Sequence, residues 1–112
     1  MISPAHMEEL RNICAGVKVM AESGIEYIFL PNLTVVTNAA TQELDALLCP
    51  SHHPSGYMTR LFLSAPFRGA GQSNNWTEHR ILERQWHTWS WQHVSANQAP
   101  AQILAAHLRA LR

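Results

Sequence analysis

The sequence predicts an α+β domain, an antiparallel meander with one helix before it and one after it. Three observations carry that reading. Short apolar runs at residues 25–30, 44–49 and 59–63 follow one another with no helical pattern between them, as strands joined by tight connections do. Met7, Leu10, Ile13, Cys14, Val17, Met20 and Ala21 recur at helical spacing ahead of those runs. A second helical stripe begins at Pro100 and continues through Ile103, Leu104, His107, Leu108 and Leu111. One apolar stripe is what a helix needs to lie on a sheet.

Each element has its own local reasons. Ser3 and Pro4 open the first helix, with a side chain able to accept from free amides and a ring suited to the first turn. Glu8 and Glu9 are acids expected to complement the positive end of its dipole. The stripe predicts helix over about residues 4 to 22, ended by Ser23-Gly24, since glycine takes the left-handed conformation readily. Ile25 to Leu30 is rich in β-branched and aromatic residues and reads as a strand turned by Pro31-Asn32. Leu33 to Val36 suits a short edge piece, and Thr37 to Thr41 reads as loop.

The stretch Leu47 to Leu63 organises the middle of the chain. Pro50, Pro54 and Gly56 stop the strand ending at Cys49 and force a rigid connection before the strand of Thr59 to Leu63. Residues 64–75 hold Pro66, Gly69 and Gly71 without apolar periodicity and form a long loop. All four tryptophans, Trp76, Trp86, Trp89 and Trp91, come next. Arg80 to Gln85 fits either a helical turn or a fourth strand, and His87 to His93 alternates as a strand or extended wrap. In the last helix Arg109 and Arg112 suit the negative end of the dipole.

Composition narrows the function classes. At 112 residues the chain makes one domain over 1–112 with a single core. Its net charge is zero and Lys18 is its only lysine, so nothing concentrates phosphates, and neither nucleic acid nor an acidic membrane is expected as partner. No run approaches the roughly 20 apolar residues of a membrane span. The acids near the start do not fit a signal peptide, so the cytoplasm is the expected compartment. Cys14 and Cys49 lack finger spacing and sit in apolar surroundings, which predicts reduced core thiols and no structural zinc.

Three groups of residues invite chemistry. Cys49 is followed by His52 and His53, and a nucleophilic role would require exposure and a lowered thiol pKa. Its apolar strand predicts instead a buried residue. The histidines at 52, 53, 79, 87 and 93 show no HExxH-type spacing and few nearby carboxylates, so no metal is expected. Tryptophan is enriched at binding hot spots but also fills small cores. Trp86 and Trp89 read as core, and Trp76, beside Asn74-Asn75, reads as the exposed anchor.

The order of these elements resembles the ubiquitin-conjugating-enzyme fold. The likeness rests on Leu47-Leu48-Cys49-Pro50, His53-Pro54-Ser55-Gly56-Tyr57, Leu61-Phe62-Leu63 with Pro66, and Trp86-His87-Thr88-Trp89-Ser90-Trp91 before a short closing helix. The chain is similar to the small bacterial members found with ubiquitin-like proteins, activating-enzyme homologues and JAB-type isopeptidases, over about residues 25 to 111. That resemblance implies a thioester-forming cysteine on the segment after the third strand, preceded by a His-Pro-Asn motif that steadies the oxyanion. Residues 64–112 contain no cysteine, and His53-Pro54 lies earlier and lacks the asparagine.

The expectation is therefore a conjugating-enzyme variant, a pseudoenzyme that needs no cofactor. It would bind a ubiquitin-like protein, an activating-enzyme homologue and, by extension, a JAB-type isopeptidase, without covalent chemistry. His53, Tyr57 and Trp76 are the expected partner-binding residues. The rival expectation is an active conjugating enzyme with its thioester on Cys49. A third is a His-based metalloprotein or hydrolase, with His87 as acid or base because the family places its reacting groups in that region.

Overall fold

A computed structural model describes residues 3–36, 41–51, 56, 58–65, 76–89 and 94–109. These residues form two helices and one six-stranded antiparallel sheet, so the class is α+β. The Ser3 hydroxyl accepts from the His6 amide at 3.2 Å and Pro4 occupies the first turn, which starts α1 (Pro4–Ile13). Glu8 and Glu9 fall beyond that first turn and so do not meet the positive end of the dipole. Glu8 instead pairs with Arg11 at 3.1 Å on the exposed surface, a pair worth little there. Leu10 is fully buried, whereas Ile13 is left exposed.

The expected helix through residue 22 is corrected to a helix and a strand. Cys14 is already extended, and Gly16 takes φ +82°, where a side chain is disfavoured and an added Cβ would meet Pro31 Cγ at 3.3 Å. Residues Lys18–Glu22 form β1, joined to β2 (Ile25–Val36) by Ser23 and Gly24 at φ 53° and 80°. Two successive left-handed residues make the hairpin turn whose twist matches its flanking strands. The few apolar residues beyond Cys14 match a helical period, but those two left-handed sites commit the backbone to a hairpin.

Pro31-Asn32 does not turn the chain either. It is a bulge inside one long strand: β2 advances from Leu30 to Leu33 while β3 (Thr41–Cys49) retreats only from Ala46 to Leu44. Asn32 sits at φ 52°, and its amide leaves the ladder for Asp45 Oδ1 at 2.9 Å. A proline, which has no amide to offer, is tolerated at such a place. Thr41, read as loop from sequence, is the first residue of β3.

The strand β4 (Arg60–Leu63) pairs with β3 from Ala46↔Leu63 to Cys49↔Arg60. The tryptophan-rich segment then supplies β5 (Trp76–Ile81) and β6 (Arg84–Trp89), so Arg80 to Gln85 is a strand pair and its turn rather than a helical turn. The sheet order is β1-β2-β3-β4-β6-β5: a four-stranded meander with a hairpin added beside β4. The closing helix, α2 (Pro100–Arg109), buries Ile103, Leu104 and His107.

Both faces of the sheet are buried, by different means. On one face Leu10 of α1, Cys14 just beyond it, and Ile103 and Leu104 of α2 meet Ile28, Leu30, Leu48, Leu61 and Leu63. On the other, Tyr27, Leu47, Cys49, Phe62, Ile81 and Trp86 form an aromatic cluster. The sheet covers this second face by curling. Phe29 of β2 reaches Trp86 of β6, ring centroids 6.2 Å apart, and the Leu82 amide beyond β5 donates to Glu22 Oε2 of β1 at 2.9 Å. Those groups lie on strands that are not neighbours, and only the twist of the sheet brings them together.

Candidate functional site

The hairpin β5–β6 carries two of the expected site residues, Trp76 and His87. Trp76 lies opposite Trp89, Glu78 opposite His87, and His87 opposite Leu63 of β4. Directly opposed residues share a face, and Leu63 belongs to the helix-side cluster. Trp76, Glu78 and His87 therefore line the helix-facing side of the hairpin. Trp76 is half-buried and packs on that cluster, so it is less exposed than its place beside Asn74-Asn75 suggested.

The His87 imidazole is mostly covered, with 16% of its side chain exposed, and Nδ1 lies 3.9 Å from Glu78 Oε1. That separation is too long for a hydrogen bond. It leaves a carboxylate beside the ring, and the other Glu78 oxygen is held by Gln85 Nε2 at 2.6 Å. An imidazole next to an anchored carboxylate can pass a proton to or from a bound group.

Cys49 stands apart from this arrangement. It ends β3 with no exposure and belongs to the second-face cluster. Its thiol donates to the Ser51 carbonyl at 3.2 Å. Burial pushes the Cys49 thiol above its ordinary range, against the opposing effect of Ser51. A nucleophilic cysteine needs the reverse on both counts. In register Cys49 faces Arg60 whereas His87 faces Leu63, the other end of β4. The sheet itself lies between the two side chains. Cys14 is also buried, donates to the Pro31 carbonyl at 3.0 Å, and has its pKa raised by burial and then by the charge of Asp45.

His53 and Tyr57 lie outside the described residues, as does Trp91. Among the described residues no three of His, Cys, Asp and Glu come close enough to hold a metal ion.

The structure adds polar groups that the sequence reading passed over. Thr59 Oγ1 donates to the Val94 carbonyl at 2.9 Å and lies 2.9 Å from His107 Nε2. A hydroxyl has one proton. Because Val94 takes it, His107 must donate from Nε2, which fixes the tautomer. Burial first, and then the Arg60 charge, lowers the His107 pKa to about 4. The available signal was its position on the apolar stripe of the last helix. Nothing in the sequence announced the second group, in which Asp45 takes Arg84 at 2.8 Å and the Asn32 amide at 2.9 Å. Those contacts, led by the Asn32 amide, hold the Asp45 carboxyl below its usual range.

Comparison with protein-family models, with curated proteins and with solved structures returned no match. What fold and site define is a class: an α+β domain with a mostly covered imidazole near an exposed carboxylate, beside a half-buried tryptophan, and no accessible thiol among the described residues.

Proposed function

We propose that this chain is a conjugating-enzyme-like scaffold that binds a ubiquitin-like protein, its activating-enzyme homologue or both, without forming a covalent bond to either. One observation carries the reading: both thiols are buried with raised pKa values, and Cys49 lies across the sheet from His87. The run of a first helix into a four-stranded meander supports the scaffold half of the reading. Under this reading the hairpin β5–β6, which follows β4, contributes the exposed Glu78 and the partly covered Trp76 and His87 to the contact surface. A JAB-type isopeptidase is a further partner under this reading, and the cytoplasm its compartment. Among the described residues no helix is long and apolar enough to cross a membrane.

Two measurements test it. Incubation with an activating-enzyme homologue, ATP and a ubiquitin-like protein is expected to give no reductant-sensitive adduct; an adduct lost in Cys49→Ala establishes the rival active enzyme. Titration of the same ubiquitin-like protein is expected to bind the chain, and Trp76→Ala to weaken binding by the folded fraction at least tenfold, the effect of an anchor worth more than about 1 kcal/mol, with a moderate fall in melting temperature because the ring also packs on the helix-side cluster. A collapse of the melting temperature with unchanged affinity of the folded fraction makes Trp76 structural only. The Glu78 carboxylate beside His87 favours a second reading, hydrolysis with His87 as base. Loss of an esterase activity in His87→Gln would support that reading.

A further inference from the structure

The curled second face leaves a cleft of about 220 Å³ between β1, β2 and the β5–β6 turn, bounded by Lys18, Met20, Phe29, Leu82, Arg84 and Trp86. Its walls are apolar and its rim is cationic. Phe29, Met20 and Leu82 are half-buried and face the opening, while Trp86 lies beneath with 2% exposure. The Lys18 ammonium stands 5.7 Å from the Phe29 ring centroid, and the Arg84 guanidinium 4.7 Å from that of Trp86.

The charges here are arranged rather than scattered. The bulge turns the Asn32 amide onto one oxygen of Asp45, and the other oxygen holds Arg84 against the Trp86 ring. Asp45 thus has both oxygens occupied. Of the other acids nearby, Glu22 has Oε2 taken by the Leu82 amide at the hairpin turn, and Glu83 is exposed in the turn itself without lining the cleft. Arg84 spends one of its five N–H groups on Asp45. Lys18 has no carboxylate partner among the described residues. A cation beside an apolar hollow selects a group that is apolar at one end and anionic at the other.

We propose that this cleft binds a carboxylate carrying a compact apolar body, the body seated on Phe29, Met20 and Leu82 and the carboxylate at Lys18 and the outer edge of Arg84. That chemistry belongs both to a free arylacetic acid and to the C-terminal residue of a peptide. The inference does not rest on the scaffold reading, because the cleft lies on the opposite face from Trp76 and His87.

The full chain, labelled with nitrogen-15, is titrated into the millimolar range with phenylacetate, with a tripeptide ending in free phenylalanine, and with the amide of each. Shifts are expected at the amides of Lys18, Met20, Phe29 and Leu82 and at the Trp86 indole, with the amide ligands much weaker. Lys18→Gln, an exposed change that leaves the core untouched, is expected to weaken the acid about two- to fivefold, the effect of one exposed charge pair. Response to phenylacetate alone marks a free acid as the ligand, and response to the tripeptide alone marks a chain terminus. No response at these positions, equal response to acid and amide, or an unchanged affinity in Lys18→Gln overturns the proposal.

Discussion

His107 is a titratable group inside the core, and its position makes stability depend on pH. Only 1% of it is exposed, Thr59 fixes its neutral tautomer, and burial brings its pKa from 6.5 to about 4. Between those values the unfolded chain binds a proton that the native chain refuses, so stability rises with pH across that window. The contribution is whole above pH 6.5 and is lost as pH falls towards about 4, on the order of 3 kcal/mol. Asp45 acts lower still: its pKa is depressed below 3.8, so its contribution is present above that value and disappears on further acidification. Urea midpoints at pH 7 and pH 5 are expected to differ clearly in the native sequence and by much less in His107→Gln. His79, also lowered by burial, leaves that variant a residual slope in the same direction.

Turn residues govern the hairpins, and they decided where reading from sequence succeeded. In the turn between β1 and β2 the left-handed sites fall on Ser23 and Gly24, but between β5 and β6 they fall on Leu82 and Glu83, at φ 54° and 61°. Left-handed backbone costs a side-chain-bearing residue roughly 1–2 kcal/mol. Leu82 offsets part of that cost by packing on the second-face cluster and donating to Glu22. Glu83 is exposed and has no such compensation among the described contacts. Glu83→Gly is therefore expected to stabilise the protein by about 0.5 kcal/mol, after the extra freedom glycine gains when unfolded, read as an upward shift of the urea midpoint. The same physics explains what was legible. Runs bounded by Pro and Gly, such as residues 44–49 and 59–63, announced their strands. The pair β5–β6 stayed ambiguous because Leu-Glu is a poor hairpin signal, and β1 was hidden because its few apolar residues match a helical stripe. Of the candidate site, Cys49 could be read as buried from its apolar run. The meeting of Glu78 with His87 depends on a strand register that no short-range pattern encodes.

At the scale of the molecule, one contact records the curl of the sheet: Glu22 Oε2 accepting from the Leu82 amide, 60 positions away in sequence. It joins the far strand pair to the near one and keeps the aromatic cluster closed over Phe62 and Cys49. Glu22→Ala is expected to loosen that closure locally. Hydrogen exchange at Leu82 should accelerate at least tenfold, in line with losing a hydrogen bond worth about 1.5 kcal/mol or more when its acceptor is charged, while the Leu48 and Leu61 amides in the central strands stay protected. Unchanged exchange at Leu82 would show that the contact holds nothing in place. A separation this large also bears on how the chain assembles. Local hairpins can close quickly, but the trough is sealed only when the first strands meet the last, and such non-local contacts slow folding because chain entropy is lost before they form. During synthesis the N-terminal half must therefore wait with Tyr27, Phe29 and Leu47 uncovered until the tryptophan hairpin leaves the ribosome, and it is in that interval that the nascent chain is most exposed to aggregation.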